Sequence, residues 1–250
     1  MKALITGASS GIGTEIAKVL DKMGVETVLV ARREDRLQEL AKNLQNKAEV
    51  IALDLSKPDA PEKLYVMVPE IDILVNNAGF GVYGYFDKTP LDREKELIAL
   101  NITALHSLTK LYLPGFKAKN KGYILNVASI AAFLTGPIFS SYYASKAYVL
   151  RLSSAIYREL KKEKSAVKIS CLCPGPVVTE FNKVAGVNFG PLGMKADKVA
   201  KIAVNGMFKG KRVVVPGALI KCCRFFSKIM PDSVTSAVVM MIQSARKLKE

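Results

Sequence analysis

A short run of aliphatic residues followed by a segment of helical period recurs along this chain, and that alternation limits what it can fold into. Residues 2–6, 25–30, 48–53, 72–75, 122–127, 167–172 and 212–215 read as strands. Most are unbroken in Ile, Leu and Val, as in Ala3-Leu4-Ile5 or Ile73-Leu74-Val75. Strands buried on both faces of a parallel sheet have this composition, whereas half-exposed strands alternate apolar with polar. Between them, residues 13–23, 34–45, 58–68, 91–117, 141–164 and 195–207 carry helical periodicity. Parallel neighbours need a crossover, so each helix must pass across the sheet, in the right-handed sense. The expectation is one α/β domain over 1–215, a doubly wound parallel sheet flanked by helices. After Val215 two short helical segments follow, 218–229 and 233–248, separated by Pro231. They read as a helical extension, 216–250, packed on the same domain.

Composition excludes several alternatives. A chain of 250 residues fits one large domain and shows no repeat, low-complexity tract or linker. No apolar run reaches the roughly 18 residues of a membrane span. Behind Lys2 only Ala3-Leu4-Ile5 is apolar before Thr6-Gly7, too short for an export signal, so a cytoplasmic location is expected. Cysteines fall as Cys171-x-Cys173 and Cys222-Cys223, neither spacing that of a zinc site or a redox C-x-x-C, and are expected to be reduced. His106, the single histidine, excludes a Ser-His-Asp triad and a histidine-rich metal centre, so no metal is expected. The net charge is +15, with 12 Lys/Arg against 3 Asp/Glu in residues 195–250. A nucleic-acid protein would gather this charge on one face with aromatic residues between, which the sequence does not do. The excess suits an anionic cofactor, an anionic surface or solubility.

The first strand ends in Thr6-Gly7-Ala8-Ser9-Ser10-Gly11-Ile12-Gly13 and opens directly into a helix. Glycines permit a tight turn and close approach of backbone to a pyrophosphate, and the helix N-terminus offers free N–H groups to that anion. This context marks a Rossmann-type dinucleotide site. After the second strand stand Ala31, Arg32 and Arg33, where an NAD-preferring site would place an acid. The arginine fork suits a 2′-phosphate, which points to NADPH. Tyr142 and Lys146 lie four apart on a predicted helix and so share a face; Tyr143, three from the lysine, is expected to pack. An ammonium beside a phenol favours the phenolate, so Lys146 is expected to lower the Tyr142 pKa. Ser129 follows the fifth strand, at the carboxyl end where ligands bind such sheets, and is placed to hold a carbonyl oxygen. Asn101, in Leu100-Asn101-Ile102-Thr103, reads by itself as a surface residue or a local bend.

The T-G-x-x-x-G-x-G spacing resembles the short-chain dehydrogenase/reductase family. The likeness continues at Asn76-Asn77-Ala78-Gly79, at Ser129 with Tyr142-x-x-x-Lys146, and at Pro174-Gly175-Pro176-Val177-Val178-Thr179, in the family's order. The resemblance implies that Gly7, Ser9, Ser10, Gly11, Ile12 and Gly13, with Asn77, Ala78 and Gly79, hold the cofactor. It adds Pro174, Gly175, Val177 and Thr179 to that set, and Asp54 and Leu55 as the pair bracketing the adenine. It gives Lys146 the nicotinamide ribose and Asn101 a water leading from Lys146 to solvent. The family's basic residue within the glycine turn is replaced here by Ser10, so phosphate recognition rests on Arg32 and Arg33. A homodimer or homotetramer is the family habit.

The expected activity is hydride transfer from NADPH to a ketone or aldehyde carbonyl, with Tyr142 as general acid and the reverse oxidation available. A 3-oxoacyl-carrier-protein reductase is the alternative within this class; the segment Val213-Val214-Val215-Pro216-Gly217 and the tail after it fit a general reductase better. A non-catalytic dinucleotide sensor is disfavoured by the intact Tyr142/Lys146 pair. Specificity is expected from residues 180–194 and 80–86, apolar stretches with glycines suited to cover an apolar carbonyl compound. Basic amphipathic segments after Val215, ending in Arg246, Lys247 and Lys249, are expected to cover the cleft or a subunit interface rather than lie on a membrane.

Overall fold

A computed structural model describes residues 1–181, 185 and 193–245. The strands are β1 (Lys2–Thr6), β2 (Glu26–Ala31), β3 (Ala48–Ala52), β4 (Ile73–Asn76), β5 (Tyr123–Val127), β6 (Lys168–Leu172) and β9 (Val213–Val214), in one parallel sheet of order β3-β2-β1-β4-β5-β6-β9. Continuous aliphatic runs are explained by the two faces. Along β1, Ala3 and Ile5 enter one core and Leu4 the other; along β4, Ile73 and Val75 oppose Leu74. Helices α1 (Gly11–Asp21), α2 (Glu34–Lys42) and α7 (Ala196–Phe208) cover the first face through Ile16, Leu20, Leu37, Val199 and Met207. On the second face α3 (Ala60–Met67), α5 (Leu105–Ala118) and α6 (Ser140–Lys162) bring Leu64, Leu108, Phe116 and Leu160. Burying each such side chain stabilises the fold by roughly 1.5–3 kcal/mol.

The strand order reverses between β1 and β4, where the chain leaves the centre first toward β2 and then toward β5. Loops at the carboxyl ends of these two strands diverge, and a crevice opens between them.

Two departures from the expected elements concern the site. The stretch 91–117 is not one regular helix: α4 (Leu91–Ile98) passes through a π turn (Ala99–Ala104) into α5. Asn101, expected at the surface or in a bend, is buried inside that turn. Residues 177–195 are tied at their base by a parallel pair, β7 (Val177–Val178) with β8 (Met194–Lys195), joined by long-range hydrogen bonds that leave no local period to read. The proposed cover, 180–194, is described only at 180–181, 185 and 193–194; its other residues lie outside the described set.

Past β9, α8 (Ala218–Phe226) and α9 (Asp232–Ser244) pack back on the same body. Ile220 joins a core cluster with Val215, Arg224 lies 5.1 Å over the Phe133 ring, and Val239 and Gln243 are buried. The outer residues Leu219, Phe225, Phe226, Ile229 and Met241 stay exposed. Arg246, Lys247 and Lys249 lie outside the described residues. No helix among the described residues is long and apolar enough to cross a membrane.

Candidate active site

A cleft of about 520 Å3 opens at the carboxyl ends of the central strands. All the residues singled out above for cofactor or catalysis border it except Gly13 and Asn101. Gly13 lies behind the turn: a Cβ there would sit 2.4 Å from the Gly7 carbonyl oxygen and 2.5 Å from Asn77 Nδ2. Its absence lets α1 start against the end of β1. Gly7 carries φ +67°, a left-handed conformation that costs other residues energy. The floor is braced from β4. Thr6 Oγ1 accepts from the backbone N–H groups of Asn77 and Ala78, each at 3.0 Å. Asn77 Nδ2 donates to the carbonyls of Thr6 and Gly7.

The residues present fit a dinucleotide. Ser10 at the start of α1 makes no side-chain cap, and the first turn holds no acid, so its N–H groups and positive helix end remain for an anion. Thr179 closes over Gly11, its Cγ2 2.9 Å from where a Cβ would stand. Beyond the turn, Arg33 Nε and Nη2 donate to Ser9 Oγ at 3.3 and 3.2 Å, which fixes the guanidinium at the cleft edge. Arg32 Nη1 pairs with Glu96 Oε1 at 3.3 Å. Partial burial pushes the Asp54 carboxyl up, but two hydrogen bonds from Ser56 and the charge of Arg32 outweigh it and hold it below the usual carboxylate range.

Tyr142 stands in the first turn of α6, buried, with its ring 4.5 Å from that of Phe139 and nearly parallel to it. Ser129 caps the short 3-10 turn Ile130–Phe133 after β5, accepting from the Ala131 N–H, and borders the same cleft as Tyr142. Lys146 is 4 % exposed; its Nζ donates to the Val127 carbonyl at 2.9 Å and lies 5.7 Å from the Tyr142 ring centre. Asn101, outside the cleft, braces this corner from behind. Its Oδ1 accepts from Phe80 N at 3.0 Å, and its Nδ2 donates to Phe80 O at 2.9 Å and Ser145 Oγ at 3.1 Å.

The electrostatics correct one expectation. Burial, the larger effect, raises the Tyr142 pKa, and the nearby Ser129 hydroxyl only partly opposes it. Lys146 does not offset this burial in the resting site; its ammonium donates to the Val127 carbonyl and is itself brought down to about 8 by burial. The tyrosine is therefore neutral, the form that can give a proton away.

The other half of the cleft is apolar. Phe80, Leu134, Phe139, Phe181, Val239 and Ile242 line it, with the Gln243 amide donating to the Tyr143 hydroxyl at 3.0 Å. Of residues 80–86, Phe80 reaches the cleft, while Tyr85 and Phe86 are exposed and do not border it. The segments after Val215 were expected to cover the cleft or a subunit interface, but which residues of α9 border the cleft was not legible in the sequence. The one signal is Gln243, a polar residue ending the apolar run Val238-Val239-Met240-Met241-Ile242. His106 sits on α5 away from the cleft, 2.7 Å from the Tyr148 hydroxyl. Cys171 and Cys173 are buried free thiols; Cys222 and Cys223 are exposed, and Cys223 touches the cleft.

Comparison with known proteins agrees with this geometry. A family model described as short chain dehydrogenase matches residues 1–187. Very-long-chain 3-oxoacyl-CoA reductase of Rattus norvegicus is 34% identical over 192 residues, which cover 73% of this chain but only 61% of the rat protein. An uncharacterized oxidoreductase of Staphylococcus epidermidis is 30% identical over 224 residues, 88% of this chain and 96% of that one. Among solved structures, a short-chain dehydrogenase from Sphingobium yanoikuyae in complex with NADPH superposes with a TM-score of 0.83 at 30% identity, covering 100% of this chain and 97% of that one. With its sheet order, glycine turn and Ser129/Tyr142/Lys146 corner, the chain belongs to the short-chain dehydrogenase/reductase family of oxidoreductases.

Proposed function

We propose that this oxidoreductase reduces the carbonyl of an apolar ketone or aldehyde at the expense of NADPH. The observation that carries the reading is a neutral, buried Tyr142 in one cleft with Ser129 and Lys146, between the glycine turn on one side and an apolar wall on the other. The α1 N-terminus would hold the pyrophosphate, Arg32 and Arg33 the 2′-phosphate, Asp54 and Leu55 the adenosine end, and Lys146 the nicotinamide ribose. Asn77-Ala78-Gly79 and the turn 174–179 would flank it. Bound there, the dinucleotide supplies the hydride.

This chain's residues do the rest. Ser129 Oγ donates to the carbonyl oxygen and stabilises the negative charge that grows on it. Tyr142 gives its proton to that oxygen, so the O–H bond breaks as the alcohol O–H forms. Lys146, close by on the same helix face, favours the phenolate left behind. Aromatic and aliphatic side chains from Phe80, Phe139, Phe181, Val239 and Ile242 exclude water and select an apolar substituent. The Sphingobium structure, crystallised with NADPH, and the 3-oxoacyl-CoA reductase name of the rat relative support this reading.

The test is NADPH consumption, followed by its absorbance, with a panel of aliphatic ketones, aryl ketones and 3-oxoacyl thioesters. Tyr142→Phe should lower turnover at least a hundredfold with NADPH affinity within a few fold of wild type. A variant retaining more than a few per cent of activity removes Tyr142 from the acid role. Replacing Arg32 and Arg33 together by neutral residues should weaken NADPH selectively over NADH; equal weakening of both sinks the cofactor assignment.

A further inference from the structure

Glu180 lies where a cofactor site for a 2′-phosphate has no use for a carboxylate. Its Oε2 is 2.8 Å from Arg33 Nη1, and its two oxygens are 2.6 and 2.7 Å from Arg36 Nη1. The same Arg33 guanidinium is anchored on Ser9 of the glycine turn through its other two nitrogens. Arg33 and Arg36 project from the start of α2 and its first turn, while Glu180 comes from the chain beyond β7, 147 residues away from Arg33 in sequence. All of Ser9, Arg33 and Glu180 border the cleft. The two guanidiniums hold the Glu180 carboxyl at about 2, so it is an anion at every pH the protein meets.

Resting on the NADPH reading above, we propose that Glu180 is a built-in competitor for the 2′-phosphate, held between Arg33 and Arg36, and that Arg36 is a third phosphate-recognising residue. A phosphate carries more charge than a carboxylate and more acceptor oxygens, so it displaces Glu180 from a fork shaped for either. NADH has nothing to offer that fork and leaves the Glu180 pairs in place. Glu180 thereby lowers affinity for the phosphorylated cofactor without touching the unphosphorylated one. The two flanking residues make the position consequential: Thr179 lies over Gly11, and the Phe181 ring is 5.3 Å from that of Tyr142. Phosphate recognition and the residue beside the proton donor are therefore one residue apart in the chain. The pairs are exposed, with side-chain accessibilities near 40%, so the competition is modest and salt-dependent.

The experiment uses the full chain and two fragment probes, adenosine 2′,5′-bisphosphate and 5′-AMP, with affinities measured by calorimetry at low and high salt. Wild type should prefer the bisphosphate. Glu180→Gln should tighten the bisphosphate by about three- to tenfold, leave 5′-AMP within twofold, and lose most of the gain at high salt. Arg36→Ala should weaken the bisphosphate selectively. If wild type prefers the bisphosphate but Glu180→Gln binds it no better, or worse, the carboxylate orders the arginines rather than competing, and the proposal is overturned while the NADPH reading stands. Equal tightening of both probes also overturns it. A wild type without preference between the probes overturns both.

Discussion

Lys146 shows how burial at a single residue pulls stability and activity in opposite directions. An ordinary lysine titrates near 10.4, and this one is brought to about 8. In the unfolded chain it stays protonated until the higher value. Between pH 8 and about 10.4, unfolding therefore takes up a proton, and the Lys146 contribution to stability improves as pH rises through that window. Tyr142, raised by burial, keeps its proton throughout. Turnover has the opposite slope. If the ammonium is needed beside the phenol, kcat/KM for reduction falls above pH 8 as Lys146 loses its charge, since that ratio reports the free enzyme. The expected result is a decline of up to tenfold per pH unit with Lys146 as its source, moving toward higher pH in Lys146→Arg. Thermal melts of Lys146→Met beside wild type should show the wild type gaining on the variant between pH 8 and 10. A flat activity profile to pH 10 would detach the lysine from the chemistry.

Among the elements, the π turn between α4 and α5 and the helix α9 each build part of the site. The turn buries Asn101 to 1 % exposure and points its amide at both backbone groups of Phe80. Extra residues in a helical turn are common where a side chain must be re-aimed. Asn101→Ala leaves those two groups without partners, at about 1–3 kcal/mol each. Urea unfolding should show a loss of roughly 2–6 kcal/mol, and kcat should drop because Ser145, which donates to the Tyr142 carbonyl at 2.7 Å, loses its donor. A stability change under about 0.5 kcal/mol would contradict this bracing. The helix α9 acts from the opposite wall, through Val239, Ile242 and Gln243. Truncation after Met230 should raise KM for apolar ketones about tenfold, the effect of one lost buried aliphatic contact. Affinity for adenosine 2′,5′-bisphosphate should stay within about twofold, since the hydrogen bonds of Ser9 and Arg33 involve none of these residues. A melt confirms that the body is folded; unchanged KM would take α9 out of the substrate wall.

At the scale of the molecule, stability rests on a sheet covered on both faces and function on the cleft at the carboxyl ends of its central strands. Leu74 is wholly buried in the middle of β4. Leu74→Ala should cost roughly 2–5 kcal/mol, a large share of the roughly 5–15 kcal/mol that holds such a domain together. Denaturant melts check this, and a loss below 1 kcal/mol would mean that the core closes over the gap. The sheet and its crossover helices were legible in the sequence because an unbroken run such as Ile73-Leu74-Val75 has only one stable setting, between two helical layers. The glycine turn and the Tyr142/Lys146 pair were legible for a similar reason: each is local, and backbone geometry alone puts its members together. Longer connections left no such trace. Asn101 against Phe80, Glu180 between Arg33 and Arg36, and Gln243 against Tyr143 join residues with no common period, and only the packed chain decides that they meet. The same holds for the protonation of Tyr142 and Lys146. Spacing places the two side chains on one face, but their charge depends on how much water the neighbouring elements exclude, and that is a property of the tertiary structure.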